Sequence, residues 1–190
     1  MESLKNKLTE EGRAIGSAIL KVSDFLNHQI DVQLMKEIGR ELADRFKGEK
    51  IDKVLTAESG GIAVALATAE AIVCSKALFA KKTVPNTMTG ERYSAEARSF
   101  TKGTVSNLCV DKELLKEGER ILIVDDFLAH GQAALALADI AAQAGCQVVG
   151  VGAVIEKAYQ GGAERLREKG FRVESLSRIK SIDDGNVIFG

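Results

Sequence analysis

Apolar positions along the chain fall into two rhythms that take turns. Leu4 and Leu8, with Ile15 further on, share one face of the charged stretch MESLKNKLTEEGRAIG, which predicts an amphipathic helix. Residues 17–31, SAILKVSDFLNHQID, mix short apolar pairs with turn-formers and predict an irregular or short-stranded segment. A clearer helix follows over about 31–47, where Leu34, Ile38, Leu42 and Phe46 step by four and Asp31 is placed to cap the first turn. DKVLTAES predicts a short strand, GGIAVALATAEAIVC an Ala-rich helix after a Gly-Gly turn, and ALFAK the next strand. NLCV predicts a strand and KELLKEGER a turn or short helix. RILIVDD carries four aliphatic residues in succession, the mark of a strand buried on both faces. QAALALADIAAQAG then predicts a helix stopped by Gly145, QVVGVGAVIEK a buried strand, GAERLREKG a helix and FRVESLSRI a strand.

Strand and helix alternate, and no repeat or linker divides the chain. Residues 1–190 therefore predict one α/β domain with a mainly parallel sheet flanked by helices. One stretch breaks the alternation. KKTVPNTMTGERYSAEARSFTKGTVS, Lys81 to Ser106, is polar, holds the only proline and shows little sustained periodicity. It predicts a long loop, and a loop of that length inside a compact domain is usually functional or disordered.

Composition narrows the function classes. Apolar residues at 45% and charged residues at 28% suit an ordinary globular protein, and a net charge of −1 offers no basic field for nucleic acid. Cys74, Cys109 and Cys146 are widely separated and form no Cys-x-x-Cys pair, which argues for reduced thiols rather than structural zinc or a disulfide framework. The charged N-terminus is no signal peptide, and no stretch approaches the ~20 apolar residues of a membrane span. A cytoplasmic protein with no membrane partner is expected.

The candidate chemistry lies in ILIVDDFLAHGQA, residues 121–133. Asp125 and Asp126 stand side by side at the end of the most apolar strand, where like charges repel and carboxylates are costly to desolvate. Open α/β sheets bind ligands beyond the C-terminal ends of their strands. The small residues Ala129, Gly131 and Ala133 follow, with His130 and Gln132 between them, and lead into a helix whose N-terminus favours an anion. A ribose 5-phosphate satisfies both features, its phosphate on the loop and its hydroxyls on the carboxylates.

This stretch resembles the phosphoribosyl pyrophosphate (PRPP) motif of type I phosphoribosyltransferases. VLTAESGGIAVA is similar to the pyrophosphate loop of that family, and residues 82–106 stand where the family carries a mobile lid. FLNHQID, ALFAKK, SFTK, VIEKAYQ-G and RVESLSRI resemble the bacterial branch of the family that acts on xanthine. The likeness covers nearly the whole chain and is weakest over 82–98. It implies the type I phosphoribosyltransferase fold, with a small N-terminal hood over about 1–31 and a lid over about 82–106. It also implies purine salvage by transfer of ribose 5-phosphate from PRPP to N9 of xanthine, giving xanthosine 5′-monophosphate and pyrophosphate.

Residue by residue, the resemblance gives Asp125 and Asp126 the catalytic ribose contacts, beneath a sugar that becomes cationic. Ala129, His130, Gly131, Gln132 and Ala133 would bind the 5′-phosphate. Ser59, Gly60, Gly61 and Lys81 would bind pyrophosphate, with Lys81 reaching a neighbouring subunit's site in a homodimer. Lys157 would donate to the oxygen at C6 of the base, Asn27 would meet the C2 carbonyl, and Leu20 would pack on the ring. Phe127 fits stacking on the base and a core position equally. Mg²⁺ is implied through PRPP and water rather than through protein ligands. Two positions depart from the family: His130 stands where Asn is expected, and Gly60 where a second Ser is expected. Guanine or hypoxanthine as the base, or a non-catalytic PRPP-sensing regulator, are the competing readings. Lys157 argues against adenine, whose 6-amino group prefers an acceptor.

Overall fold

The computed structural model describes residues 1–16, 19–74, 76–86, 88–99, 104–183 and 185–190, the side chains at 98, 99 and 104 excepted. Helix α1 (Glu2–Glu10) buries Leu4 and Leu8. Its last turn runs to Gly12, whose N–H bonds back to the Leu8 carbonyl and where any side chain would collide with that same carbonyl. The chain therefore leaves the helix before Ile15. That residue lies 54% exposed in strand β1 (Arg13–Ile15), not on the helical face expected of it. β1 pairs antiparallel with β2 (Ile19–Lys21), placing Ala14 opposite Leu20. A wide π-helical turn, Ser23–Asn27, follows. Helix α2 (Val32–Arg45) begins where the Asp31 carboxylate accepts the N–H groups of Gln33 and Leu34, both at 3.1 Å.

The remaining chain winds the sheet. In order come β3 (Lys53–Ala57), α3 (Gly61–Ala71), β4 (Ala77–Ala80), β5 (Arg92–Ser99), β6 (Thr104–Asp111), β7 (Arg120–Leu128), α4 (Gln132–Gln143), β8 (Gln147–Lys157), α5 (Gly162–Glu168), β9 (Val173–Asp183) and β10 (Asn186–Phe189). Six strands form one sheet in the order β10-β9-β8-β7-β3-β4, parallel throughout except for the β9–β10 pair. β7 lies inside it, and its side chains alternate between two cores. Leu122 and Val124 pack with α2 and α3, while Ile121 and Ile123 pack with α4. All four are fully buried, each contributing at most about 1.5–3 kcal/mol. The strand end that presents the acid pair is thus anchored from both faces.

Two segments differ from the sequence expectation. Much of the expected 82–106 loop is regular. β5 and β6 form an antiparallel ribbon in which Arg92 faces Asp111 and Ser99 faces Thr104. Alternation was present, but its apolar positions in β5 include the alanines Ala95 and Ala97, which bury beside Leu108, Val110 and the α4 core and carry little hydrophobic signal. Residues 100–103, which include most of the SFTK stretch, lie outside the described residues. The strand expected at FRVESLSRI begins at Val173 and continues to Asp183, then meets β10, an element with no earlier counterpart.

Candidate active site

The C-terminal ends of β3 and β7 and the middle of β8 open onto a cavity of about 550 Å³. Asp125 and Asp126 sit at its floor. Each carboxylate accepts the N–H of the following residue: Asp126 N–H to Asp125 Oδ1 at 3.0 Å, and Phe127 N–H to Asp126 Oδ1 at 3.1 Å. Asn27 closes over them from the hood, its Nδ2 donating to Asp126 Oδ2 at 2.8 Å. The two acids are not equivalent. The Asp125 carboxyl is enclosed against Gly61 and Thr56, and that burial carries it well above the usual carboxylate range. The negative Asp126 beside it pushes the same way, while the Asp126 N–H and the Lys82 charge oppose it. Burial and the neighbouring acid therefore both act against the charged form of Asp125.

The β3–α3 turn forms a second wall. The Glu58–Ser59 peptide is cis. Glu58, Ser59 and Gly60 line the cavity, and Gly61 starts α3 immediately behind them. Gly60 has an ordinary right-handed helical conformation, so the position does not call on glycine's conformational freedom. Its value is space: a Cβ there would overlap the Asp126 carboxylate. Gly61 is constrained likewise by Thr56 Oγ1 and Asp125. Thr56 itself is fully buried and its hydroxyl makes no hydrogen bond, which leaves an orphaned polar atom beneath the acid pair.

The β7–α4 loop supplies the third wall, and all five residues from Ala129 to Ala133 line the cavity. Gly131 adopts a left-handed φ of 77° at the start of α4, where no side chain caps the first turn. Small residues and uncapped N–H groups are what an anion needs. The loop rests on the β8–α5 turn so closely that a Cβ on Gly162 would strike the Ala129 carbonyl and the Gly131 nitrogen.

The other expected residues are distributed unevenly. Asn27 and Phe127 line the cavity. Lys157 is not among the cavity-lining residues; its ammonium lies over the Phe127 ring, 5.3 Å from the centroid, and burial pulls its pKa down. Leu20 is buried in the core shared with α2. Lys81 is not brought to the cavity; its ammonium stands 5.1 Å over the Phe79 ring and its backbone bridges to Cys109. Its neighbour Lys82 does line the cavity, and its N–H donates to Glu58 at 2.5 Å. The sequence reading missed Lys82 and Thr56 as site residues. The Lys81-Lys82 pair held the first signal, since adjacent residues on extended chain face opposite ways. Nothing in the sequence marked Thr56.

Residues 21–184 match the phosphoribosyl transferase domain family. The chain belongs to that family. It is 49% identical to xanthine phosphoribosyltransferase 2 of Clostridium perfringens, over the full length of both chains. It is 51% identical to a xanthine phosphoribosyltransferase of Moorella thermoacetica, covering 100% of this chain and 96% of the relative. Among solved structures, adenine phosphoribosyltransferase from Rhodothermus marinus superposes with a TM-score of 0.74 at 20% identity, covering 94% of this chain and all of the other. That likeness speaks for the phosphoribosyltransferase fold alone. Among the described residues, no helix is long and apolar enough to cross a membrane.

Proposed function

We propose that this phosphoribosyltransferase moves ribose 5-phosphate from PRPP to N9 of xanthine, giving xanthosine 5′-monophosphate and pyrophosphate. The observation that carries the reading is the acid pair at the end of β7, one short loop before the uncapped start of α4. That spacing seats sugar hydroxyls on Asp125 and Asp126 while the 5′-phosphate takes the N–H groups of residues 129–133. The C1′–oxygen bond to pyrophosphate breaks with its electron pair on the leaving group, and N9 of the base closes onto C1′ as its proton is lost. The two carboxylates then face a sugar with oxocarbenium character, and charge at that spot is stabilised more in the transition state than in the ground state.

Ser59, Gly60 and Gly61 offer N–H groups to pyrophosphate. Lys82 is the nearer cation for that role, ahead of Lys81. Among the described residues no group of three or more His, Cys, Asp or Glu side chains could hold a metal. Mg²⁺ would be held mainly by the diphosphate and water, where the ion would neutralise the leaving group's charge. Lys157 donates to the C6 oxygen of the base. The Asn27 amide, now on Asp126, meets the C2 carbonyl when the base is bound. High identity to relatives named for xanthine supports the choice of base. The proposal includes a cytoplasmic homodimer. Edge strand β4 leaves Phe79 36% exposed and adjacent α3 leaves Leu66 65% exposed, an apolar face that a second copy would cover.

The test offers xanthine, guanine, hypoxanthine and adenine separately with PRPP and Mg²⁺, following nucleotide and pyrophosphate. Xanthosine monophosphate as the dominant product supports the reading. Preference for guanine or hypoxanthine would retain the mechanism and reject the base assignment. PRPP binding without turnover of any base would favour a sensor.

A further inference from the structure

Helix α5 is short, and the first residues after its start face two ways. Glu164 reaches Arg178 at 3.4 Å, and Arg178 reaches the buried Glu156 at 3.0 Å, one residue before Lys157 on β8. Arg165 turns instead toward the phosphate loop. Its Nη1 donates to the His130 carbonyl at 3.2 Å and to the Gln160 carbonyl at 3.0 Å. His130 joins the same point, its Nδ1 lying 3.2 Å from the Gln160 carbonyl. A carbonyl only accepts, so Nδ1 carries the proton in that contact, and neutral and charged imidazole can both make it. Gly162 completes the junction by letting the two backbones touch.

The loop has little means of holding itself still. Ala129 and Gly131 have no side chain able to brace it, and no side chain caps α4. The His130–Gly131 peptide is trans, so its carbonyl and the Gly131 N–H point in opposite directions. Holding that carbonyl from behind turns the N–H away from Arg165, as an anion site on the other side requires.

We propose that Arg165 is a positioning residue: it fastens the 5′-phosphate loop to the turn that follows Lys157, so that the phosphate and base subsites are set as one unit. It touches neither substrate. The same junction gives His130 a role that its sequence position alone did not suggest, as the second fastener. This inference rests on the functional reading above and deepens it.

The experiment uses the full chain with Arg165→Ala and Arg165→Lys. It measures kcat, KM for PRPP and for xanthine, melting temperature, and direct calorimetric affinity for ribose 5-phosphate. Arg165→Ala is expected to weaken ribose 5-phosphate and raise the PRPP KM about tenfold. The xanthine KM should rise with them, and kcat should stay within about twofold. Arg165→Lys, with one ammonium for two carbonyls, should recover part of the loss. Unchanged ribose 5-phosphate affinity in folded Arg165→Ala, or a loss confined to kcat, overturns the proposal. If the alanine variant does not fold, Arg165→Lys and Arg165→Gln carry the same readouts. A wild-type chain that neither binds PRPP nor turns over any base would sink the functional reading instead, before Arg165 is tested.

Discussion

An Asp125→Asn variant separates two things the wild-type carboxyl does at once. The carboxyl is held above its ordinary pKa by burial and by Asp126, so its ionised form opposes folding. The sign follows directly. Stability is greatest while the proton is kept, and it falls as pH rises from the unfolded value of about 4 through the higher folded value. Asp125→Asn removes that penalty. Its melting temperature should match wild type at low pH and exceed it at neutral pH by a few degrees. Turnover should meanwhile fall by roughly 10²- to 10³-fold. Thermal melts across pH, run beside kcat, check both halves; a variant that loses stability at neutral pH would contradict the account. Lys157→Gln makes a different cut. It removes the proposed donor to C6 and should raise the KM for the oxopurine about tenfold or more while leaving PRPP affinity intact, as measured by steady-state kinetics.

Elements show why some of the site was legible and some was not. β7 declared itself through an unbroken aliphatic run, because a strand covered on both faces needs nothing else. The 129–133 loop was visible because close backbone approach to an anion demands small residues in sequence. β5 escaped because its buried positions include alanines, and β10 because a short edge strand with half its residues exposed carries almost no pattern. Thr56 was invisible for another reason: its importance lies in a hydroxyl orphaned by tertiary packing. Leu20 and Lys81 carry roles by likeness alone: the fold places Leu20 in the core and Lys81 beside Phe79, outside this chain's own cavity. At this scale Gly131→Ala is the sharpest test. The φ of 77° and a Gly162 carbonyl only 3.0 Å from the added Cβ both oppose it. The variant should lose about 1–2 kcal/mol of stability by chemical denaturation and show a raised PRPP KM.

Taken whole, the sheet carries the candidate site at one rim and part of its exposed apolar surface along the β4 edge. Leu66→Glu with Phe79→Glu should shift the chain from dimer to monomer in size-exclusion chromatography with light scattering. A wild-type chain that already runs as a monomer would refute the assembly. The acid pair also has a signature that needs no view of the cleft. Burial raises the Asp125 carboxyl, and ribose hydroxyls with a developing positive charge would lower it again, so PRPP binding is expected to release protons. PRPP binding then becomes an exchange with the solvent, and its measured heat should depend on the buffer that takes up the proton. Titrations in two buffers of different ionisation enthalpy would count the protons released, turning a buried carboxyl into a quantity read from outside the protein.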